Sequence, residues 1–303
     1  MFKPTGSWVA IPTPFNKSNT IDWEGFKTLI DFQASHGTSA LLVLGSAGEA
    51  TLLSVEERQE IVKNLSKYGK GRIPIFYGAT FPTTEDTVKF SKFAESEGAD
   101  GLVYTVPPYL IPPQLSVVEF LLTCMQSVQI PVGVYNNPTR TGVSITPETI
   151  ELLANKCPNF VADKEAMPSV QQLVEVKRRV GDKINILSCD FPKYSILLPT
   201  LAIGGSGTAN IGGNIIPAEM AKMSRPWVNI KIIEESRALY FKYYNLLKAL
   251  YWLSNPIVIK AGLKLLGLPA GRPRRPLPEL EGDKLKELKI IMDELGIIEK
   301  YAI

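Results

Sequence analysis

"ALLVLGSAGEATLLSVEERQEIVKNLSKYGKGRIPIFYGA", Ala40–Ala79, holds within one span the pattern that decides the fold. It opens on a short apolar run, Ala40–Leu44, and closes on another, "IPIFYGA". Both are too short for a helix and suit buried strands. Between them Ser54 starts and Gly69 stops an amphipathic segment in which Ile61, Val62 and Leu65 recur at helical spacing. Strand, helix and strand in that order make a βαβ unit, whose two strands lie parallel.

Outward from this unit the rhythm repeats. Further strand candidates are "SWVAIPT" from Ser7, "DGLVYTV" from Asp100, "IPVGVYN" from Ile130, "NFVADK" from Asn159, "INILSCD" from Ile184 and "GSGTANI" from Gly205. Helical segments such as "DWEGFKTLIDFQASHG", "TTEDTVKFSKFAESEG" and "TPETIELLANK" separate them. Eight strands at intervals of roughly 20–35 residues predict a (β/α)8 barrel rather than an open doubly wound sheet. After about Arg225 the strands stop, and "NIKIIEESRALYFKYYNLLKALYWL", "PIVIKAGLKLLGL" and "GDKLKELKIIMDEL" predict three helices. The expected organisation is a barrel over 1–224 that carries the active site and a three-helix extension over 225–303.

Composition narrows the function class. Of 303 residues 45% are apolar and 21% charged, enough to bury a sizeable core. The net charge of +3, from 33 basic and 30 acidic residues, argues against a nucleic-acid partner. The cluster "GRPRRP", Gly271–Pro276, is broken by prolines and reads as an exposed loop. No apolar span reaches the ~18–20 residues of a transmembrane helix. Prolines interrupt "MFKPTGSWVAIPTPF" where a secretory leader keeps a continuous apolar region, so a cytoplasmic protein without membrane contact is expected. Cys124, Cys157 and Cys189 are odd in number and widely spaced, which fits reduced thiols. The single histidine, His36, falls at a predicted helix end, and one histidine without a close cysteine pair leaves no zinc-type site.

Reactive groups of a βα barrel sit where strands run into the following helices. The second strand leads into "GSAGEATLLSVEER", Gly45–Arg58, where glycines, the Ser46 hydroxyl and N–H groups near a helix start suit an anion. A plain turn with an N-cap at Ser54 fits equally, and no Gly-Lys-Ser/Thr follows to make a nucleotide-phosphate loop. "GGSGTANIGGN", Gly204–Asn214, has Asn210 where a dinucleotide fingerprint needs its third glycine. The fifth strand ends in "VYNNPTRTG", with Tyr135 on the strand and Arg140 on a Pro/Gly loop. Arg140 is placed to clamp a carboxylate or to pair with a surface acid. The sixth ends in "VADKEA", so that Lys164 follows directly on a buried apolar run.

A lysine there is costly unless paired or deprotonated. Strand alternation turns Asp163 and Glu165 toward the helices and Lys164 toward the barrel interior. An amine has an intrinsic pKa of ~10.4 that desolvation lowers, and a neutral amine beside a phenol suits imine formation with a ketone.

With these loops in hand the chain resembles, over nearly its whole length, the dihydrodipicolinate synthase / N-acetylneuraminate lyase family of class I Schiff-base aldolases. "GSAGEATLLSVEER" is similar to the family's G-[ST]-x-G-E segment, "VYNNPTRTG" to its Y-N-x-P-x-R-T-G segment and "DKEA" to its lysine motif. "AIGGSGTANIGGN" resembles its strand-eight segment and "NPIVIKAGLKLLGLP" its helical extension. The resemblance implies a homotetramer built as a dimer of dimers, with no metal or organic cofactor. Lys164 would form the imine with pyruvate, Tyr135 would shuttle protons, and Ser46 would bind the pyruvate carboxylate and relay protons. The Ala47 N–H would assist beside Gly45, and Ala209 would line the pocket near the pyruvate methyl.

Arg140 matches the family arginine that holds the carboxylate of aspartate semialdehyde, which implies a 4-hydroxy-tetrahydrodipicolinate synthase. Three departures keep an alternative open. Ser46–Ala47 stands where synthases read Thr-Thr, and Leu110 stands where they carry the tyrosine that completes the proton relay. "SCDFP", Ser188–Pro192, stands where they read "GDD". The alternative is an aldolase or dehydratase of 2-keto-3-deoxy sugar acids or related 2-oxo acids. A non-catalytic barrel that binds a 2-oxo acid is the more remote third reading.

Overall fold

The computed structural model describes residues 5–189 and 194–303. Strands and helices alternate from the start: β1 (Gly6–Ala10), α1 (Trp23–Ser35), β2 (Ala40–Val43), α2 (Val55–Gly69), β3 (Ile75–Gly78), α3 (Thr84–Ser96) and β4 (Gly101–Thr105). The order continues with α4 (Gln114–Gln126), β5 (Val132–Asn136), α5 (Pro138–Thr141), α6 (Pro147–Lys156), β6 (Phe160–Glu165), α7 (Val170–Val180) and β7 (Asn185–Cys189). Then come α8 (Leu197–Ala202), β8 (Gly207–Asn210) and α9 (Pro217–Met223). The eight strands pair in chain order, all parallel, and β1 closes on β8, which is the (β/α)8 barrel expected.

Period-two alternation divides the core. Val9, Leu41, Val43, Ile75, Tyr77, Val132 and Val134 face outward and pack with Phe26, Ile61, Leu65 and Phe90 of the surrounding helices. Trp8, Leu42, Phe76, Ala162, Leu187 and Ala209 fill the barrel, where the Trp8 and Phe76 rings lie 4.7 Å apart. Each large side chain so buried contributes about 1.5–3 kcal/mol. Local signals start the helices as the sequence predicts. Ser54 caps α2, accepting from the Glu57 N–H while the Glu57 carboxylate accepts from the Ser54 N–H. His36 ends α1, and its Nδ1 lies 2.6 Å from the Phe32 carbonyl oxygen.

Beyond the barrel run α10 (Ile230–Ala249), α11 (Ile257–Leu265) and α12 (Gly282–Glu294), the three expected helices. A fourth, α13 (Ile297–Tyr301), was not read from the sequence. Gly296 at φ 67° stops α12 and restarts the chain, and Ile297 and Tyr301, four apart, are both buried. Tyr243, Leu247, Ile259, Leu263 and Met292 of these helices join the same apolar cluster as the barrel interior. None of the described helices is long and apolar enough to cross a membrane.

Candidate active site

At the ends of the strands a cavity of about 760 Å³ opens, and Gly45, Ser46, Tyr135, Arg140 and Lys164 all line it. Its shape starts with β2. Leu44 turns out of the strand at φ 60° and Glu49 follows at φ 57°, both in the left-handed region that non-glycine residues rarely adopt. The facing position on β3 must be Gly78, because a Cβ there would lie 2.2 Å from the Leu44 carbonyl oxygen. Between the two strained residues Gly45 looks onto open space, with nothing within 4 Å of where a Cβ would be. The N–H groups of Ser46 and Ala47 donate to nothing among the described residues, so this loop offers donors to a ligand.

β5 and β6 bring the reactive pair together, because Tyr135 and Lys164 are register partners. Lys164 Nζ lies 4.0 Å from the centroid of the Tyr135 ring. The phenol oxygen accepts from Asn137 Nδ2 at 2.7 Å and lies 3.4 Å from Cys189 Sγ. Burial, above all, and the neighbouring Cys189 push the Tyr135 phenol well above its usual range, so it holds its proton near neutrality. Asn136, facing the other way, ties the strand end down. It donates to the Ile145 carbonyl and to Glu165, and accepts from the Ile145 N–H.

The neighbours of Lys164 face outward, as the alternation requires. Glu165 is fully buried and accepts from Asn136, from the Met167 N–H and from Gln172 of α7. Burial raises its carboxyl to about 7. Asp163 is also fully buried, neither carboxylate oxygen accepts a hydrogen bond, and burial together with Glu165 raises it well above the usual range.

Arg140 reaches the cavity from the single helical turn α5 rather than from an irregular loop. Pro138 starts this turn, and Gly142 at φ 80° ends it with its N–H on the Pro138 carbonyl. Ala47 was expected to offer its backbone N–H, and Ala209 to line the pocket. The Ala47 side chain is buried in the apolar core, leaving its N–H as its contribution, and Ala209 is enclosed level with Trp8 and Cys189. Neither lines the cavity. Leu110 is 59% exposed and likewise outside it. Of "SCDFP", Asp190, Phe191 and Pro192 lie outside the described residues.

Sequence reading missed Asn137, Cys189 and the wall supplied by the extension, Ser254, Asn255, Pro276 and Leu277. That wall is held by Glu49, fully buried, which pairs with Lys260 Nζ of α11 at 2.6 Å and accepts from the Arg274 N–H at 2.6 Å. A lysine inside the apolar run "PIVIKAGL" was the available signal for it. Among the described residues no group of three or more His, Cys, Asp or Glu side chains is placed to hold a metal ion.

Comparison with known proteins gives the family and the fold. The model of the dihydrodipicolinate synthetase family matches residues 3–295. The chain is 34% identical to the 4-hydroxy-tetrahydrodipicolinate synthase of Methanocaldococcus jannaschii, over 98% of this chain and all of that protein. To the synthase of the same name from Aquifex aeolicus it is 32% identical, over 96% of this chain and 98% of that one. The crystal structure of dihydrodipicolinate synthase from Aquifex aeolicus superposes with a TM-score of 0.91 at 31% identity, covering 97% of this chain and 98% of that one. The one from Thermotoga maritima gives 0.91 at 30% identity, covering 98% of this chain and all of that one.

Proposed function

This chain belongs to the dihydrodipicolinate synthetase family, a pyruvate-dependent Schiff-base lyase/synthase, and we propose that it condenses pyruvate with aspartate semialdehyde to 4-hydroxy-tetrahydrodipicolinate. The observation that carries the reading is Lys164 Nζ set 4.0 Å from the Tyr135 ring inside a cavity that also holds Arg140 and Ser46.

In this reading Lys164 Nζ attacks C2 of pyruvate, and the carbinolamine loses its hydroxyl as water to leave an imine. Tyr135 supplies and recovers protons at the departing oxygen. The imine withdraws electrons from the methyl carbon, which loses a proton to give an enamine. That carbon then forms the new bond to the aldehyde carbon, the aldehyde oxygen takes a proton, and the product's amino group closes the ring and releases the lysine. The imine is the electron sink, made from the protein's own side chain. Ser46 and the N–H groups of Ser46 and Ala47 hold the pyruvate carboxylate, with Gly45 giving the close approach, and Arg140 holds the carboxylate of the second substrate.

The assembly in this reading is a homotetramer, supported by the exposed apolar residues Tyr109, Leu110, Ile111 and Leu115 after β4 and Val170 and Val174 on α7. A cytoplasmic setting is supported by the three free, buried cysteines. The test is a substrate panel. Purified protein is expected to consume pyruvate with aspartate semialdehyde and to release none from 2-keto-3-deoxy sugar acids. Pyruvate release from those acids, with no condensation, would overturn the choice of second substrate.

A further inference from the structure

Two consecutive asparagines leave β5, and the structure gives them different work. The Asn136 amide is engaged at both ends by Ile145 and Glu165. Asn137 is just as buried, at 1% exposure, but lines the cavity. Its Nδ2 donates to the Tyr135 phenol oxygen at 2.7 Å, and its buried Oδ1 accepts from nothing among the described residues. Such an oxygen is a standing cost to the fold, and an apolar side chain of similar size would remove it. Packing therefore explains Asn136 and does not explain Asn137.

We propose that Asn137 is a positioning residue for the Tyr135 proton shuttle, its amide N–H orienting the phenol and stabilising the phenolate formed when the proton is passed to substrate. The inference rests on the role given to Tyr135 above. With the amide occupying one lone pair, the phenol's own hydrogen is turned away from Asn137. The other protein contact of the phenol oxygen is the Cys189 sulfur at 3.4 Å, a weak hydrogen-bonding partner that a substrate oxygen displaces readily. A donor on the oxygen favours the charged form and opposes the effect of burial on the phenol, so the proton moves out and back with less imbalance.

The experiment uses full-length protein and pyruvate alone in D2O, following methyl-proton exchange by NMR and imine formation by borohydride trapping. Asn137→Leu removes the amide at similar size, and Asn137→Ala removes it with a shorter side chain. Both are expected to reach the wild-type extent of trapping at saturating pyruvate but to form the trapped imine, and so to exchange methyl protons, about 10–100-fold more slowly. The Asn137→Leu protein is expected to melt at or above the wild-type temperature. Exchange by either variant within about twofold of wild type, or an Asn137→Leu protein that melts well below it, would overturn the proposal. If the wild type traps no pyruvate, the reading of the site itself fails and this inference goes with it.

Discussion

Burial, above all, and the neighbouring Cys189 keep the proton on Tyr135, so in the proposed reaction it enters as a phenol at neutral pH. A phenol is the form required to protonate the oxygen that leaves the carbinolamine. Tyr135→Phe keeps the ring against Lys164 and removes only the hydroxyl. It is expected to lower kcat by roughly 10²–10⁴-fold while pyruvate still reaches the lysine. Steady-state kinetics within a few-fold of wild type would take Tyr135 out of the mechanism. At this scale much of the site was legible. Lys164 declared itself as a cation after an apolar run, and Tyr135 and Arg140 by their place at a strand end. Asn137 did not, because an asparagine before proline is ordinary turn chemistry and only the fold shows its amide turned onto the phenol. Ala209 shows the converse. Position along a motif says which strand end a residue occupies, but whether its side chain meets the cavity depends on how the barrel interior is filled.

β6 shows what a strand does besides presenting a side chain. Alternation sends Lys164 inward and two acids outward into the apolar layer between barrel and helices. Both hold protons at pH values where the unfolded chain has lost them, Glu165 up to about 7 and Asp163 well above the usual carboxylate range because of burial and the neighbouring Glu165. A raised carboxyl pKa contributes stability that is fully present below the unfolded value near 4 and is lost as pH rises through the folded value. Stability is therefore expected to fall between about pH 4 and about pH 7, the folded value of Glu165. Asp163→Asn removes one of the two titrations and should flatten that fall, measured by urea unfolding across the range. Equal slopes for variant and wild type would show that Asp163 does not titrate in this way. The alternation itself was readable from the sequence. The extent of burial was not, because it depends on Gln172 and the other α7 residues that close over the strand.

The whole molecule is a barrel whose mouth is finished by its C-terminal helices. Residues about 200 positions from Ser46, namely Ser254, Asn255, Pro276 and Leu277, complete the cavity wall. The Glu49–Lys260 pair fastens that wall to the loop after β2 and is only 0% and 1% exposed. Breaking a buried pair leaves one charge uncompensated, at a cost of about 3–5 kcal/mol. Lys260→Met should be destabilised by that order, and adding Glu49→Gln should recover much of the loss. A double variant no more stable than the single one would mean that the pair is not coupled. The eightfold rhythm announced the barrel and the helical tail announced itself. Their joint cavity stayed hidden, since no local pattern records which distant loops meet.

The proposed reaction depends on one covalent bond, and trapping tests it most directly. Protein incubated with pyruvate and borohydride, then digested and sequenced by mass spectrometry, should carry a reduced pyruvate adduct on Lys164 and on no other residue. An unmodified Lys164, or an adduct confined to a different lysine, would contradict it.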